Sequence, residues 1–286
     1  MIGGLERSPT LIMKTNTSLR NRLLVAAVLV PILVLFAWLG GWYFAALIAL
    51  LTSLAVYELW GLFDNNGYHP ALALMIVFTP LAVLMRQWAE FRHSDILLAA
   101  LILSAMFYHV IEQERGGRNS AVNFFITLGA PLYLGWLGGY AVSIRNLENG
   151  LYWLLLVLII NSMADTGAYA VGSRFGRHKM FPHVSPHKSW EGYAGGIITG
   201  ILTGLAFTAL WQLFTPGISL LQGALLGLAI PMLAPMGDFG ESMIKRCFNV
   251  KDSSTVLLDH GGFLDRIDSA LWAVVIGYYL ITIIGG

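Results

Sequence analysis

The sequence predicts an all-α protein, a polytopic membrane helix bundle with about nine transmembrane helices. Hydrophobic residues occupy 57% of the 286 positions and charged residues only 12%, about half the charged share of soluble domains. Apolar segments recur along the chain, and most reach the ~20 residues that span a bilayer. Because backbone groups in lipid must form hydrogen bonds within their own segment, these segments are expected to be helices.

The apolar segments cover, in chain order, residues 23–39, 42–62, 70–88, 95–111, 121–143, 151–171, 193–214, 219–237 and 269–284. The first is interpreted as a retained helix, since more apolar segments follow and no small-x-small cleavage site ends it. The chain therefore divides into an N-terminal tail (1–22), N-terminal transmembrane helices (23–150) and a C-terminal transmembrane region with polar loops (151–286). The single cysteine, Cys247, excludes an intramolecular disulfide.

The distribution of positive charge predicts the orientation. With a cytoplasmic N-terminus, nine crossings place 14 of the 17 Lys and Arg residues inside and three outside, namely Arg86, Arg92 and Arg145. This bias predicts a multi-pass protein of the cytoplasmic (inner) membrane whose two polar loops face the cytoplasm. Anion binding is an alternative cause of part of the bias, because eight of the 14 lie in those two loops.

Four glycines recur at four-residue spacing from residue 192 into the apolar segment 193–214. Gly192, Gly196, Gly200 and Gly204 form a strip that allows another helix to approach closely. The strip predicts packing within the bundle, and it leaves contact between two subunits, and so a homodimer, open.

The segment 151–171 carries polar residues on one helical face. Asn161, Asp165 and Tyr169 follow one another at four-residue intervals. A carboxylate inside a membrane helix is costly unless it is paired, so Asp165 is interpreted as functional. The alternative is a structural hydrogen bond to a neighbouring helix.

The loop 174–192 is rich in cations, hydroxyls and glycines. Ser185, Lys188 and Ser189 suit phosphate binding, with lysine as a point charge and serine as a donor. The chain has no P-loop motif. The three histidines of this loop lack partners at zinc-ligand spacing, so a zinc site is not expected. The alternative interpretation is an ordinary positively charged cytoplasmic loop.

The densest polar stretch follows Pro231 and Pro235, which should kink or break the segment 219–237. Four residues beyond the break share one helical face at i, i+3, i+4 and i+7: Asp238, Glu241, Ser242 and Lys245.

Two further carboxylates, Asp265 and Asp268, lie at i, i+3, so both are able to point the same way. Carboxylates that converge repel one another unless a cation lies among them, and Mg²⁺ prefers such oxygen ligands.

Residues 242–268 resemble the signature of CDP-diacylglycerol synthases (phosphatidate cytidylyltransferases). The matching positions are Ser242-x-Ile-Lys245-Arg246, Lys251-Asp252-x-Ser254, Leu258-x-His260-Gly261-Gly262 and Asp265-Arg266-Ile-Asp268. The stretch from Ser185 to Gly192 and the Asp165 segment also match, in the family's order. The resemblance is strong from about residue 160 to 270. The family usually has Pro or Gly where this chain has Leu258, and Gly more often than Ser at position 254.

The resemblance implies an enzyme of phospholipid biosynthesis that converts CTP and phosphatidate into CDP-diacylglycerol and pyrophosphate. It implies Mg²⁺ as cofactor, with a second monovalent or divalent cation left open. The partners implied are CTP, phosphatidate and the lipid bilayer, without nucleic acid. The metal ligands that it implies are Asp238, Glu241, Asp265 and Asp268.

The other roles follow from the same resemblance. Catalytic positions, besides the aspartates among the metal ligands, are Asp165, Lys245 and Arg266. Asp165 would be a ligand or would orient Lys188. Substrate contacts are assigned to Ser185, Lys188, Ser189, Ser242, Arg246, Lys251, Asp252 and His260, while Gly261 and Gly262 leave room for backbone approach.

Three alternatives remain. A CDP-alcohol phosphatidyltransferase also uses clustered carboxylates, but its Asp-Gly-x-x-Ala-Arg pattern is absent from the chain. A transporter of phosphorylated anions would carry intramembrane charges and broken helices, yet no internal repeat is visible and the charges lie at one membrane face. A paralogue that binds substrate without turnover is the third.

Overall fold

The computed structural model describes residues 27–90, 92–214, 218–250, 253–254 and 261–284. Within these ranges the chain forms eleven α-helices, one π-helical turn and one two-stranded hairpin. The helices of the N-terminal half are α1 (Ala27–Leu39), α2 (Gly41–Asp64), α3 (Leu72–Ala89), α4 (Ser94–Glu114), α5 (Ser120–Ala130) and, after the π-helical turn Pro131–Trp136, α6 (Leu137–Arg145). The C-terminal half contains α7 (Gly150–Phe175), β1 (Lys179–Phe181), β2 (Ser185–Ser189), α8 (Trp190–Trp211), α9 (Leu220–Leu233), α10 (Pro235–Cys247) and α11 (Leu264–Ile284).

Eight helical segments are long and apolar enough to cross a membrane. They are α2, α3, α4, the continuous run Ser120–Arg145, α7, α8, the run Leu220–Cys247 and α11, and α1 is a shorter apolar helix before them. This confirms the all-α, multi-pass membrane bundle with about nine transmembrane helices. Most boundaries agree with the sequence expectation within a few residues. The run Leu220–Cys247 continues ten residues past the expected end at residue 237, and α11 begins five residues earlier than expected and so includes Asp265 and Asp268.

The hairpin between α7 and α8 differs from the expected plain loop. β1 pairs with β2 in antiparallel register, with Lys179 opposite Ser189 and Phe181 opposite Ser185. The strands are too short, and too polar, to produce an alternating apolar pattern that would have predicted them. The pairing of the two strands fixes the position of Lys188, the penultimate residue of β2.

Glycines bring the helices around α8 into close contact. A Cβ atom on Gly196 would lie 3.0 Å from the carbonyl oxygen of Ala164 on α7, and one on Gly204 would lie 2.1 Å from that of Gly223 on α9. The predicted glycine strip therefore packs within the bundle, against the helices on both sides of α8.

The predicted break of the segment 219–237 is confirmed, at a single residue within it. α9 ends at Leu233, α10 begins at Pro235, and Ala234 lies between them. Pro235 has no N–H to continue the helical hydrogen bonds, so it starts a new helix instead. The new helix, α10, packs against α11, which also contacts α2, α6, α7 and α9. α11 therefore connects the two halves of the chain.

Candidate active site

One large cavity, of about 1310 Å³, extends between α1, α2, α7, α8, α10 and α11. Part of its wall is apolar and comes from α1, α2 and α7, including Leu33, Phe44, Leu51, Leu154 and Leu158. Another part is polar and includes Asp165, Lys188, Asp238, Glu241 and Asp268. The cavity is therefore amphipathic, with hydrocarbon side chains and charged side chains lining one continuous space.

Three carboxylates converge at the polar part. One oxygen from each of Asp238 and Glu241 on α10 and Asp268 on α11 lies within 4.8 Å of the other two. The two helices approach so closely because Gly237 has no side chain: a Cβ there would lie 2.3 Å from the carbonyl oxygen of Asp268. The expectation that α10 presents Asp238 and Glu241 on one face is thus confirmed.

Glu241 is the most deeply buried member of this group. Its side chain is 2% exposed, and neither carboxylate oxygen accepts a hydrogen bond from the residues that the structure describes. The Nζ atom of Lys245 is 3.2 Å from Oε2 and is the one ion-pair contact of Glu241 within the described ranges. A buried carboxylate next to two others is costly unless a cation neutralises it. These three side chains therefore fit a hard divalent cation such as Mg²⁺.

Lys188 connects the hairpin with the carboxylate group. Its Nζ atom forms an ion pair with Oδ2 of Asp238 and lies 4.5 Å from the ring centroid of Phe239. The two polar segments that the sequence singled out thus meet in space.

The two serines near Lys188 have different surroundings. Ser189 is buried, lines the cavity and caps α8 by accepting a hydrogen bond from the backbone N–H of Gly192 at 3.2 Å. Ser185 lies opposite Phe181 in the hairpin and is outside the set of described residues that line the cavity. Substrate binding by either serine stays a prediction.

The predicted polar face of α7 is directed at the cavity. Asn161, Asp165 and Tyr169 all line it. Asn161 Nδ2 donates a hydrogen bond to Ser269 Oγ at 3.0 Å, which links α7 to α11. Asp165 is exposed to the cavity and makes no hydrogen bond or ion pair with the described parts of the chain. It lies roughly 15 Å from the Phe175 end of α7, at 1.5 Å per residue, well inside the span.

Asp265 has a different environment from Asp268. Its Oδ1 accepts a hydrogen bond from Lys245 Nζ at 2.5 Å. Its Oδ2 accepts from the backbone N–H and hydroxyl of Ser253, at 3.0 and 2.8 Å, and from the backbone N–H of Gly262 at 2.8 Å. Asp265 therefore lies outside the group of three converging carboxylates, and its role as a metal ligand stays a prediction.

The cationic side chains of α10 and α11 that were predicted to act in catalysis or substrate binding divide into two kinds. Lys245 is buried between Glu241 and Asp265. Arg246 and Arg266 are exposed and line the cavity, and Arg246 donates a hydrogen bond to the carbonyl oxygen of Val250 at 3.1 Å.

Some of the predicted positions lie outside the described residues: Lys251, Asp252, Leu258 and His260. Ser242 is described, and its hydroxyl donates to Oδ1 of Asp238 at 3.3 Å.

The two glycines of the His-Gly-Gly motif lie against carboxylates of the protein, and their role in approach to the substrate stays a prediction. Gly261 has a positive φ of 76°, and a Cβ there would lie 2.6 Å from Oδ2 of Asp265. A Cβ on Gly262 would lie 2.2 Å from Oε2 of Glu58. The space that these glycines leave is therefore filled by two carboxylates of the protein itself.

Glu58 is the residue of this region that the sequence reasoning missed. It lies on α2, far outside the signature. Its side chain accepts three hydrogen bonds, from Ser254, Phe263 and Leu264, and lies 3.2 Å from the hydroxyl of Ser253. The signal was present, since Glu58 is an ionisable residue within the apolar segment 42–62. Asp165 is an ionisable residue of the same kind in the C-terminal half.

Comparisons with known proteins identify the family of the chain. The model of the cytidylyltransferase family matches residues 20–284. A phosphatidate cytidylyltransferase of Pseudomonas aeruginosa is 34% identical over 269 residues, which cover 90% of this chain and 94% of that protein. One of Mycobacterium tuberculosis is 30% identical over 94% of this chain and 86% of its own length. One of Bacillus subtilis is 39% identical over 160 residues, 56% of this chain and 58% of that protein.

Proposed function

The chain belongs to the cytidylyltransferase family and functions as a phosphatidate cytidylyltransferase, and we propose that the amphipathic cavity is its active site. The reaction joins CTP and phosphatidate to give CDP-diacylglycerol and pyrophosphate. The observation that carries the proposal is the convergence of Asp238, Glu241, Asp268 and Lys188 in a cavity whose wall is also apolar. A water-soluble nucleotide and a membrane lipid need such a cavity if they are to meet.

The chemistry requires charge neutralisation more than proton transfer. The phosphate of phosphatidate is largely ionised near neutral pH, because its second pKa is about 6, so it acts as the nucleophile without a strong general base. The obstacle is the approach of one anion to another. Catalysis therefore depends on cations and on in-line positioning of the two phosphates.

We propose that Asp238, Glu241 and Asp268 hold Mg²⁺. The fit rests on the buried oxygens of Glu241, which lack hydrogen-bond donors in the described parts of the chain, and on the mutual distance of the three carboxylates. When bound, the ion neutralises phosphate charge and favours departure of pyrophosphate. Asp265 as a further ligand, and a second cation, stay predictions.

The side chains around the carboxylates have distinct roles in this proposal. Lys188 forms its ion pair with Asp238 at the cavity wall, from where its flexible ammonium is able to donate to a substrate phosphate. The exposed cations Arg246 and Arg266 add positive charge at the same wall. Lys245 remains between Glu241 and Asp265 and holds both carboxylates in place.

The apolar wall from α1, α2 and α7 suits the acyl chains of phosphatidate, and the charged part suits its headgroup together with CTP. We propose that the charged part faces the cytoplasm, where CTP is available, in agreement with the excess of Lys and Arg in the two polar loops.

The test is pyrophosphate release by purified protein in detergent micelles that contain Mg²⁺ and CTP. We expect release only after phosphatidate is added, and a loss on the order of 10²-fold or more in Asp268→Asn. Asp95→Asn, which changes an exposed carboxylate in the first turn of α4, is the matched control and should retain full activity. Release without phosphatidate, or equal activity in Asp268→Asn and wild type, would contradict the proposal.

A further inference from the structure

We propose that Glu58 on α2 is a positioning residue for the carboxylate group, a role that rests on the proposed Mg²⁺ site. Glu58 touches none of the three converging carboxylates. It acts on them through Ser253, Asp265 and Lys245 and so makes the metal site depend on the N-terminal helices.

Glu58 is saturated with hydrogen bonds from one segment. Its Oε1 accepts from the hydroxyl of Ser254 at 2.7 Å and from the backbone N–H of Phe263 at 3.0 Å. Its Oε2 accepts from the backbone N–H of Leu264 at 2.9 Å and lies 3.2 Å from the hydroxyl of Ser253. Glu58 is only 7% exposed. If its carboxylate were lost, water would not reach these donors to accept their hydrogen bonds.

The position of Glu58 makes it a cap for α11. The helix begins at Leu264, and the N–H groups at its start have no partner within the helix. Glu58 accepts from two of them and places a negative charge at the positive end of the helix dipole. A carboxylate from α2 therefore fixes the start of the helix that carries Asp265 and Asp268.

A continuous polar chain leads from Glu58 to the carboxylate group. The Ser253 hydroxyl lies 3.2 Å from Glu58 and 2.8 Å from Asp265. Asp265 accepts from Lys245 at 2.5 Å, and Lys245 is 3.2 Å from Glu241. Every link is a side-chain contact between buried or half-buried groups, where a lost partner is not replaced by solvent.

Gly262 provides independent support for this arrangement. A Cβ at this position would lie 2.2 Å from both Oε2 of Glu58 and the hydroxyl of Ser253. The His-Gly-Gly motif therefore leaves room for the Glu58 carboxylate because position 262 has no side chain. The backbone at Gly262 also donates to Asp265 at 2.8 Å, so one residue adjoins both carboxylates.

The test measures metal affinity directly, by electron paramagnetic resonance titration of the purified full chain with Mn²⁺ as a probe for Mg²⁺. In Glu58→Gln the side chain keeps its size but has a single acceptor oxygen for the three groups that donate to Glu58. We expect the Mn²⁺ dissociation constant to rise by about 10-fold or more, the range found when residues that orient metal ligands are changed. Asp268→Asn removes one of the three converging carboxylates. The part of the Mn²⁺ signal that is lost in this variant is the part that comes from the carboxylate group.

The matched control is Glu112→Gln. Glu112 is another half-buried carboxylate, which accepts from Asn123 Nδ2 at 2.9 Å and contacts His109 Nδ1 at 2.5 Å, away from the cavity. We expect its Mn²⁺ affinity to equal that of wild type, even where its melting temperature falls as far as that of Glu58→Gln. Equal losses of Mn²⁺ affinity in the two variants would mean that Glu58 has only a structural role.

Ser253→Ala is the second variant, in case Glu58→Gln does not fold. It removes the hydroxyl between Glu58 and Asp265 with little change of volume, and we expect weaker Mn²⁺ binding in the same direction. Wild-type affinity in Ser253→Ala, or in a folded Glu58→Gln, would overturn the positioning role alone. A wild-type protein whose Mn²⁺ signal is unaffected by Asp268→Asn would overturn the proposed metal site and the positioning role with it.

Discussion

Lys188 on β2 and Asp238 on α10 form an ion pair, although they are 50 residues apart in the chain. The contact joins a hairpin rich in cations to a helix rich in carboxylates. In the proposed reaction Lys188 would therefore have two competing partners, the carboxylate of Asp238 and a phosphate of the substrate.

Replacement of Lys188 by alanine should weaken phosphate handling and leave metal affinity intact. The ammonium neutralises phosphate but is not able to ligate a cation, so its loss removes no ligand from the metal. We expect the KM for CTP or phosphatidate to rise and kcat to fall in Lys188→Ala, with an unchanged Mg²⁺ concentration at half-maximal rate. Arg177→Ala, an exposed cation of the same segment that does not line the cavity, is the control. Full rescue of Lys188→Ala by excess Mg²⁺ would show that the division of roles is wrong.

Asp265 and Asp238 should respond differently to substitution by asparagine. Asp265 accepts hydrogen bonds from Lys245, Ser253 and Gly262, whereas the Asp238 side chain is 35% exposed at the cavity. Both variants should lose turnover on the order of 10²-fold, but only Asp265→Asn should also lower the melting temperature substantially, because it leaves buried donors unpaired. Thermal unfolding of the two purified variants checks this. Equal melting temperatures would mean that the Asp265 network contributes nothing to stability.

Close contact between α10 and α11 should be sensitive to a single methyl group. A Cβ on Gly237 would collide with the Asp268 carbonyl oxygen at 2.3 Å and with the Trp272 ring at 2.6 Å. Gly237→Ala should therefore separate the carboxylates and lower both turnover and apparent Mg²⁺ affinity. Gly240→Ala, on the same helix with nothing within 4 Å of the new Cβ, should be active and no less stable. Equal activity in Gly237→Ala and Gly240→Ala would contradict this prediction.

The orientation predicts which cysteines a membrane-impermeant thiol reagent reaches in intact cells. In a variant whose exposed Cys247 is replaced by serine, Ser173→Cys near the end of α7 should react only after lysis. Asp95→Cys at the start of α4 should react in intact cells. In the predicted topology three membrane crossings lie between Asp95 and Ser173, so the two residues are on opposite sides of the membrane. The reverse labelling pattern would invert the orientation. Ser254, although it lies in a polar loop, is unsuitable for this test because its hydroxyl bonds to Glu58.

The helices and much of the site follow from sequence for local reasons. Bilayer-length apolar segments give the spans, and the i, i+3, i+7 spacing places Asp238, Glu241 and Lys245 on one face of α10. The same spacing argument fails for Asp265 and Asp268. Asp268 approaches Asp238 and Glu241, while Asp265 turns to Lys245 and Ser253. This division depends on how α10 packs on α11 at Gly237, which is tertiary information.

Glu58 shows a second limit of the sequence. Its partners are 195 to 206 residues away in the chain, and the signature that identifies the family does not extend to α2. The rule that an ionisable residue in an apolar segment is functional identifies Glu58 as a candidate. Its actual partners become evident only from the packing of α2 against α11.

The most direct test of the account is the Mg²⁺ dependence of pyrophosphate release in Glu241→Gln. Glu241 is buried, unpartnered by hydrogen bonds within the described ranges, and adjacent to Asp238 and Asp268. If the three carboxylates hold the catalytic ion, a neutral amide should lower turnover on the order of 10²-fold or raise the half-saturating Mg²⁺ concentration by about 10-fold or more. Wild-type turnover at the wild-type half-saturating Mg²⁺ concentration would contradict the account.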